Sequence, residues 1–181
     1  MYQTQVQRAV QVLHAMLIYR GDAAAGPEPP EVPPEDPGDV YHARIGDAHA
    51  IFAKRGARQS EVAQVARAAG LGGAGPAGTV FYVTRSGAPP APAGAEAWAI
   101  DDLQIDIASH RLVPRMTKVA AADVRWPRSA LPLILPTDPM ARYLAMKPGD
   151  VVRIQRPVVG GYSEYYRVCA PARFRDQTLE M

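Results

Sequence analysis

LPLILPTDPMARYLAMKPGDVVRIQRPVVGGYSEYYRV, residues 131–168, carries the densest structural punctuation in the chain. Thr137-Asp138-Pro139 predicts a helix start. The Asp138 carboxylate can cap free N–H groups, and proline fits the first helical position, where its missing N–H costs nothing. A short helix is expected from Met140 to Met146. Lys147-Pro148-Gly149-Asp150 then reads as a turn, with proline fixing φ and glycine supplying a positive φ. Val151 to Arg156 has the β-branched residues of a strand, ended by Pro157. Gly160-Gly161 signals a two-residue hairpin, and Tyr162 to Val168 is the returning strand. Helix, turn, strand, hairpin and strand make one small unit.

The same stretch resembles a family of transcription proteins: the fifth-largest subunit shared by the eukaryotic nuclear RNA polymerases, together with its shorter archaeal counterpart. The residues that carry the resemblance are Leu131-Pro132, Asp138-Pro139-Met140-Ala141-Arg142-Tyr143, Met146-Lys147, Gly149, Val151-Val152-Arg153-Ile154, Arg156-Pro157, Gly161 and Tyr166-Arg167. Upstream, His110-Arg111-Leu112-Val113-Pro114 is similar to the family's HxLVP. There are departures. Ala145 stands where a glycine is usual, and Met116 where a second histidine is. Val158-Val159 forms a shorter hairpin tip, Tyr162 replaces an arginine, and the segment between Pro114 and Leu131 is trimmed.

The length of 181 residues suits one domain or two small ones, and 48% apolar residues suffice for real cores. No apolar run nears the roughly 18 residues of a membrane span. No charged, apolar and small-residue leader opens the chain, so secretion is not expected. Cys169 is the single cysteine. It excludes an internal disulfide and a cysteine metal cage, and fits a reducing compartment. Charge is uneven. Asp22 to Asp39 holds six acids and no base, which leaves the rest with 20 basic against 12 acidic residues, a net +8. A basic body beside an acidic loop fits proximity to nucleic acid, although no dense basic cluster occurs.

Along the chain, residues 3–20 predict a helix with Val6, Val10, Leu13 and Leu17 on one face and Val12, Met16 and Ile18 on the other, as in a helix buried on two sides. Asp22 to Asp39, with six prolines between Pro27 and Pro37, predicts an extended, disordered loop. Val40–Ile45 and Ala48–Lys54 read as strands joined at Gly46-Asp47. Gln59–Ala69 reads as a helix starting near Ser60. Leu71–Gly78 is a glycine-rich loop without the Gly-Lys-Ser/Thr ending of a phosphate cradle. Thr79–Thr84 is an apolar strand and Ser86–Gly94 a Pro/Gly loop. Ala95–Asp102 is expected as a short helix, Leu103–Ala108 as a strand, and Ala120–Val124 as one helical turn in a linker from Arg115 to Ala130. The fold class is therefore α+β: an N-terminal α/β domain over 1–108, a small mixed module over 109–169, and a C-terminal extension over 170–181.

No catalytic, metal or cofactor site emerges. A metal-dependent nuclease would want an acid two residues before Lys54, where Phe52 stands. His42 and His49 can meet across their hairpin but lack a third ligand. The resemblance implies a non-catalytic RNA polymerase subunit. Residues 109–169 would anchor it to the largest subunit, and residues 1–108 would form a nuclease-like jaw domain beside downstream duplex DNA. The expected partner-facing residues are Asp138, Arg142, Tyr143, Lys147, Arg153, Arg156, Tyr162 and Arg167. The expected DNA-facing residues are Arg55, Arg58 and Arg85, reading phosphates without sequence preference. Tyr162 and Tyr166 share a strand face and Tyr165 takes the other, so one set is expected to be buried. Neither membrane binding nor homo-oligomerisation is expected. The location implied is the nucleus for a cellular protein, or a viral factory, host nucleus or virion for a diverged copy from a large DNA virus. A nuclease and a free-standing adaptor are the other two readings.

Overall fold

The structure, a computed structural model, describes residues 2–32, 38–70, 79–85 and 90–171. The glycine-rich loop 71–78, residues 86–89 of the Ser86–Gly94 loop and nearly all of the C-terminal extension lie outside the described residues. The chain divides into two compact units, residues 1–106 and 107–181.

The N-terminal unit opens with α1, Tyr2–Arg20. Both of its apolar faces are covered: Val6, Val10, Val12, Leu13, Met16 and Leu17 are buried, and Ile18 is half exposed. The following segment has the composition of a disordered loop, but its described part folds back along α1. The Asp22 N–H donates to the Leu17 carbonyl at 3.0 Å, and the Asp22 carboxylate caps a 3-10 turn over Ala23–Ala25. Buried His14 donates from Nε2 to the Gly26 carbonyl at 3.1 Å, and Gln7 Oε1 accepts the Val32 N–H at 2.9 Å. Polar anchors on the helix substitute for the apolar burial that the segment lacks.

Strands β1 (Val40–Ile45) and β2 (Ala48–Ala53) form the expected hairpin. Helix α2 runs Gln59–Ala68. Its N-cap is Arg58, whose N–H is held by the Glu61 carboxylate at 2.8 Å. Then come β3 (Val80–Thr84) and β4 (Glu96–Ala99). The sheet order is β1-β2-β3-β4, antiparallel for the first pair and parallel for the next two. Ile51, Ala53 and Tyr82 pack with Val62 and Ala66 of α2. Phe81, on the opposite face by strand alternation, lies under the guanidinium of Arg20 from α1 at 5.5 Å. The two helices thus cover opposite faces. Arg20 also grips Glu96 with two bonds of 3.0 and 2.9 Å, tying α1 to β4.

Two expectations fail here. Ala95–Asp102 is not a helix: its first half is β4, and a 3-10 turn over Ile100–Leu103 follows. Pairing with β3 overrides the helix propensity of Glu-Ala-Trp-Ala. Leu103–Ala108 is not a strand despite its alternation. Leu103 is buried but Ile105 is exposed, and Ile107–Ser109 is another 3-10 turn.

The C-terminal unit is a four-stranded sheet. The linker expected from Arg115 to Ala130 contains β5, Arg115–Val119, and 3-10 turns at Ala121–Asp123 and Arg128–Ala130. Strand β6 is only Leu133–Ile134 and runs parallel to the last strand. Helix α3, Pro139–Tyr143, is capped as expected: Asp138 Oδ1 accepts from Met140 N–H at 2.8 Å and Ala141 N–H at 3.3 Å. It stops three residues before Met146 because Ala145 takes φ +48°. Ala145 N–H bonds to the Arg142 carbonyl and Met146 N–H to the Ala141 carbonyl, both at 2.9 Å, which is the Schellman termination.

Strands β7 (Val151–Val158) and β8 (Gly161–Cys169) pair along all of β7, from Val151–Val168 to Val158–Gly161, and the sheet order is β5-β7-β8-β6. The proline at 157 does not end β7, which passes through it. The pair beside a two-residue turn, Val158 and Gly161, is the hydrogen-bonded one, so Pro157 directs its nitrogen away from β8. On that side β5 has already ended, at the Arg115–Gln155 pair, and no ladder bond is lost. Among the described residues no helix is long and apolar enough to cross a membrane.

Candidate functional site

The residues expected to meet a partner fall into three kinds of position. Asp138 is committed to capping α3, and Tyr143 is 2% exposed in the core of the C-terminal unit. Tyr143 ends a five-residue helix whose Met140 and Ala141 are also buried, so its place is inside the unit and not on a partner-facing surface. Arg142, in the last turn of α3, is half buried. Lys147, Arg156 and Arg167 are exposed, and Tyr162 is 73% exposed. Arg167 donates to the Leu133 carbonyl at 3.0 Å, bracing β8 against β6.

The aromatic residues of β8 are not divided into a buried and an exposed set. Tyr166 is half buried against the Trp126 ring, with centroids 5.8 Å apart. Tyr165, on the other face, is half buried under the Arg156 guanidinium at 5.3 Å. Tyr162 stands in the open near the hairpin tip. Arg153 is half buried, and its Nε is enclosed without a hydrogen-bond acceptor. It shares its strand face with Gln155 and Pro157.

The turn before β7 is locked electrostatically. Asp150 Oδ2 accepts from Lys118 Nζ and from the Lys147 N–H, both at 2.7 Å. Burial pushes the Asp150 carboxyl up, but these bonds and the two lysine charges outweigh it and hold the pKa below its usual value. The backbone of Cys169 bonds to the same turn, donating to the Asp150 carbonyl at 2.8 Å and accepting from Gly149 at 2.9 Å. Burial, then the Asp150 charge, pushes the Cys169 thiol up, the opposite of what a reactive cysteine needs.

In the N-terminal unit, Arg55, Arg58 and Arg85 are all exposed at the edge where the parallel strands β2 and β3 end. The Arg85 N–H approaches the Ala53 carbonyl at 3.5 Å, and its guanidinium donates to Gln5. The structure therefore brings these three to one end of the sheet. Phe52 is wholly buried, so the position two before Lys54 offers no metal ligand. His42 Nε2 and His49 Nδ1 do meet, at 2.9 Å, with their rings stacked. Burial is the first cause lowering both pKa values. The partner imidazole and Arg44 add to it for His42, and Arg44 for His49. Among the described residues no group of three or more His, Cys, Asp or Glu side chains could hold a metal ion.

His110 proves to be a turn residue. Its Nδ1 accepts the Leu112 N–H at 3.3 Å, and its carbonyl accepts the Val113 N–H at 2.9 Å. The turn presents Leu112, 75% exposed, beside β7. The sequence shows the motif but not the gap beside β7, which opens where residues 111–114 run before β5 begins pairing at Arg115.

Residues 105–169 match the family model described as RNA polymerase Rpb5, C-terminal domain. The match begins within two residues of the second compact unit and ends at the last residue of β8. The C-terminal unit is therefore similar to the C-terminal domain of Rpb5, a subunit of RNA polymerase.

Proposed function

We propose that the protein is a non-catalytic subunit of a DNA-dependent RNA polymerase, anchored to the largest subunit through its C-terminal unit. The observation that carries this is that the matched segment, residues 105–169, spans the strands of the second compact unit. The N-terminal unit would serve as a jaw beside downstream duplex DNA. Arg55, Arg58 and Arg85, gathered at one end of its sheet, would touch phosphates without reading sequence. The protein would act wherever its polymerase acts: the nucleus of a cell or, for a viral copy, a viral factory, host nucleus or virion.

A tagged chain pulled from its native source tests the proposal. The expected result is recovery of both large polymerase subunits at near-equal stoichiometry. Recovery of the chain alone, or with unrelated proteins, would overturn it. DNA binding by the isolated chain is expected to be weak and to fall steeply with salt.

A further inference from the structure

Strand β8 is paired along one side and largely bare along the other. It pairs with β7 from Val168 to Gly161, but with β6 only at Val168 and Cys169. Bond directions identify the bare groups. The Cys169 N–H donates to the Asp150 carbonyl, toward β7, whereas the Val168 and Ala170 N–H groups donate to the Pro132 and Ile134 carbonyls, toward β6. Backbone groups alternate between the two sides of a strand, and the β7–β8 register runs without a bulge. The N–H and C=O groups of Tyr162, Glu164 and Tyr166 therefore point to the side of β6, beyond where β6 reaches. The ladder stops at Pro132, which has no N–H to offer the Tyr166 carbonyl. These three N–H and three C=O groups have no backbone partner among the described residues.

Sheet edges are commonly blunted by lysine, proline or a bulge. Residues 162–166 are Tyr-Ser-Glu-Tyr-Tyr and have none of these. Tyr162 and Glu164 are exposed, and Tyr166 is half buried beside Trp126, itself half exposed. The Tyr162, Glu164 and Tyr166 side chains share one sheet face. Glu164 carries the single charge among them, and the Gln155 amide engages one of its oxygens from the β7 side.

We infer that an extended segment of the partner protein adds to this edge as a further strand, in line with β6, with a lysine or arginine opposite Glu164 and aromatic or β-branched residues opposite Tyr162 and Tyr166. Main-chain bonds supply the attachment, and alternate side chains supply the choice of segment. Opposite charges and aromatic or β-branched pairs across strands are the stabilising combinations, and this pattern reads the same in either chain direction. A second copy of the chain fits poorly: antiparallel pairing through the same three residues sets Glu164 against its own counterpart. A polynucleotide has no alternating amide groups for the ladder, and its phosphates would meet the Glu164 carboxylate. The inference rests on the assembly reading above and adds the edge and the sequence pattern that the edge selects.

Pro157, opposite Tyr162, already sits in this hairpin with its nitrogen turned away from β8. Glu164→Pro imitates it: the N–H it removes points to the open edge, and the bonds to β7 remain. The test is co-purification of the full-length chain from its native source, wild type beside Glu164→Pro and Glu164→Arg, with Arg67→Glu on α2 as the control. Tyr162 is separately replaced by a photo-crosslinking phenylalanine analogue, and the captured peptide is identified by mass. Glu164→Pro should melt close to wild type yet recover the large subunits about tenfold less or worse. Glu164→Arg, which keeps every backbone group, should also recover less, and the crosslink should fall in a segment with a basic residue flanked at alternate positions by aromatic or β-branched ones. Undiminished recovery by folded Glu164→Pro or Glu164→Arg overturns the inference and leaves the assembly reading standing. So does a crosslink to nucleic acid, to this chain itself or to a segment without that pattern. Failure of wild type to recover polymerase removes both readings. If Glu164→Pro does not fold, Glu164→Arg and the Tyr162 crosslink decide.

Discussion

Lys118 Nζ and Asp150 Oδ2 lie 2.7 Å apart, joining an edge strand to the turn that launches β7. The same oxygen accepts the Lys147 N–H, so Asp150 both shapes its turn and pins β5. Asp150→Ala should cost the C-terminal unit about 1–2 kcal/mol, mostly through the lost turn bond. Lys118→Ala should cost less than about 1 kcal/mol, because a half-exposed ion pair is screened. Because the carboxyl is held below its ordinary value of 3.8, its contribution is present above that value and lost as pH falls through the folded pKa. Urea unfolding followed at Trp126 in a Trp98→Phe background reads this unit, since the chain has two tryptophans, one in each unit.

Ala145 occupies a left-handed conformation at the end of α3, φ +48°, which a Cβ opposes. Ala145→Gly, restoring the residue usual in the family pattern, should stabilise the unit by roughly 0.5–1 kcal/mol, strain relief exceeding the entropy that glycine adds to the unfolded chain. An unchanged or lowered urea midpoint would show that the turn carries no strain.

Gly46 is the opposite case. A Cβ there would fall 2.0 Å from the Ala24 carbonyl oxygen, at φ +62°. Gly46→Ala should therefore cost on the order of 3 kcal/mol in the N-terminal unit, by forcing the 3-10 turn off the hairpin. Trp98 fluorescence in a Trp126→Phe background measures it.

The His42–His49 pair gives the N-terminal unit a pH dependence. Both histidines titrate below their ordinary 6.5 in the folded protein, so the unfolded chain binds protons first. Stability should hold above 6.5 and decline as pH falls from there through the folded pKa values. His42→Gln/His49→Gln should flatten that slope, seen as a urea midpoint that no longer moves between neutral and mildly acidic buffers.

Local punctuation makes α1, the β1–β2 hairpin, α2, the α3 cap and the β7–β8 hairpin legible in the sequence. Each is decided by residues that touch within a few positions, such as Asp138 with Met140 or Gly46 with Asp47. β4, β5 and β6 are not legible, because such short strands owe their conformation to distant neighbours. The alternation of Leu103, Ile105 and Ile107 imitates a strand that has no partner to pair with. The arginines of the C-terminal unit are visible in the sequence, but which sheet face each takes is not, because it depends on the register of β7 against its neighbours. Tyr143 is hard to place from sequence because so short a helix does not reveal which side faces inward.

In the C-terminal sheet the strand latest in sequence, β8, lies inside, between β7 and β6. Its core therefore cannot close until Val168, Cys169 and Ala170 have been synthesised, whereas the N-terminal unit holds all its strands by Ala99. During translation the two units become complete in sequence order, and the surface offered to a partner is made only after the N-terminal unit is whole. Any association made through this unit would therefore wait until synthesis has passed β8.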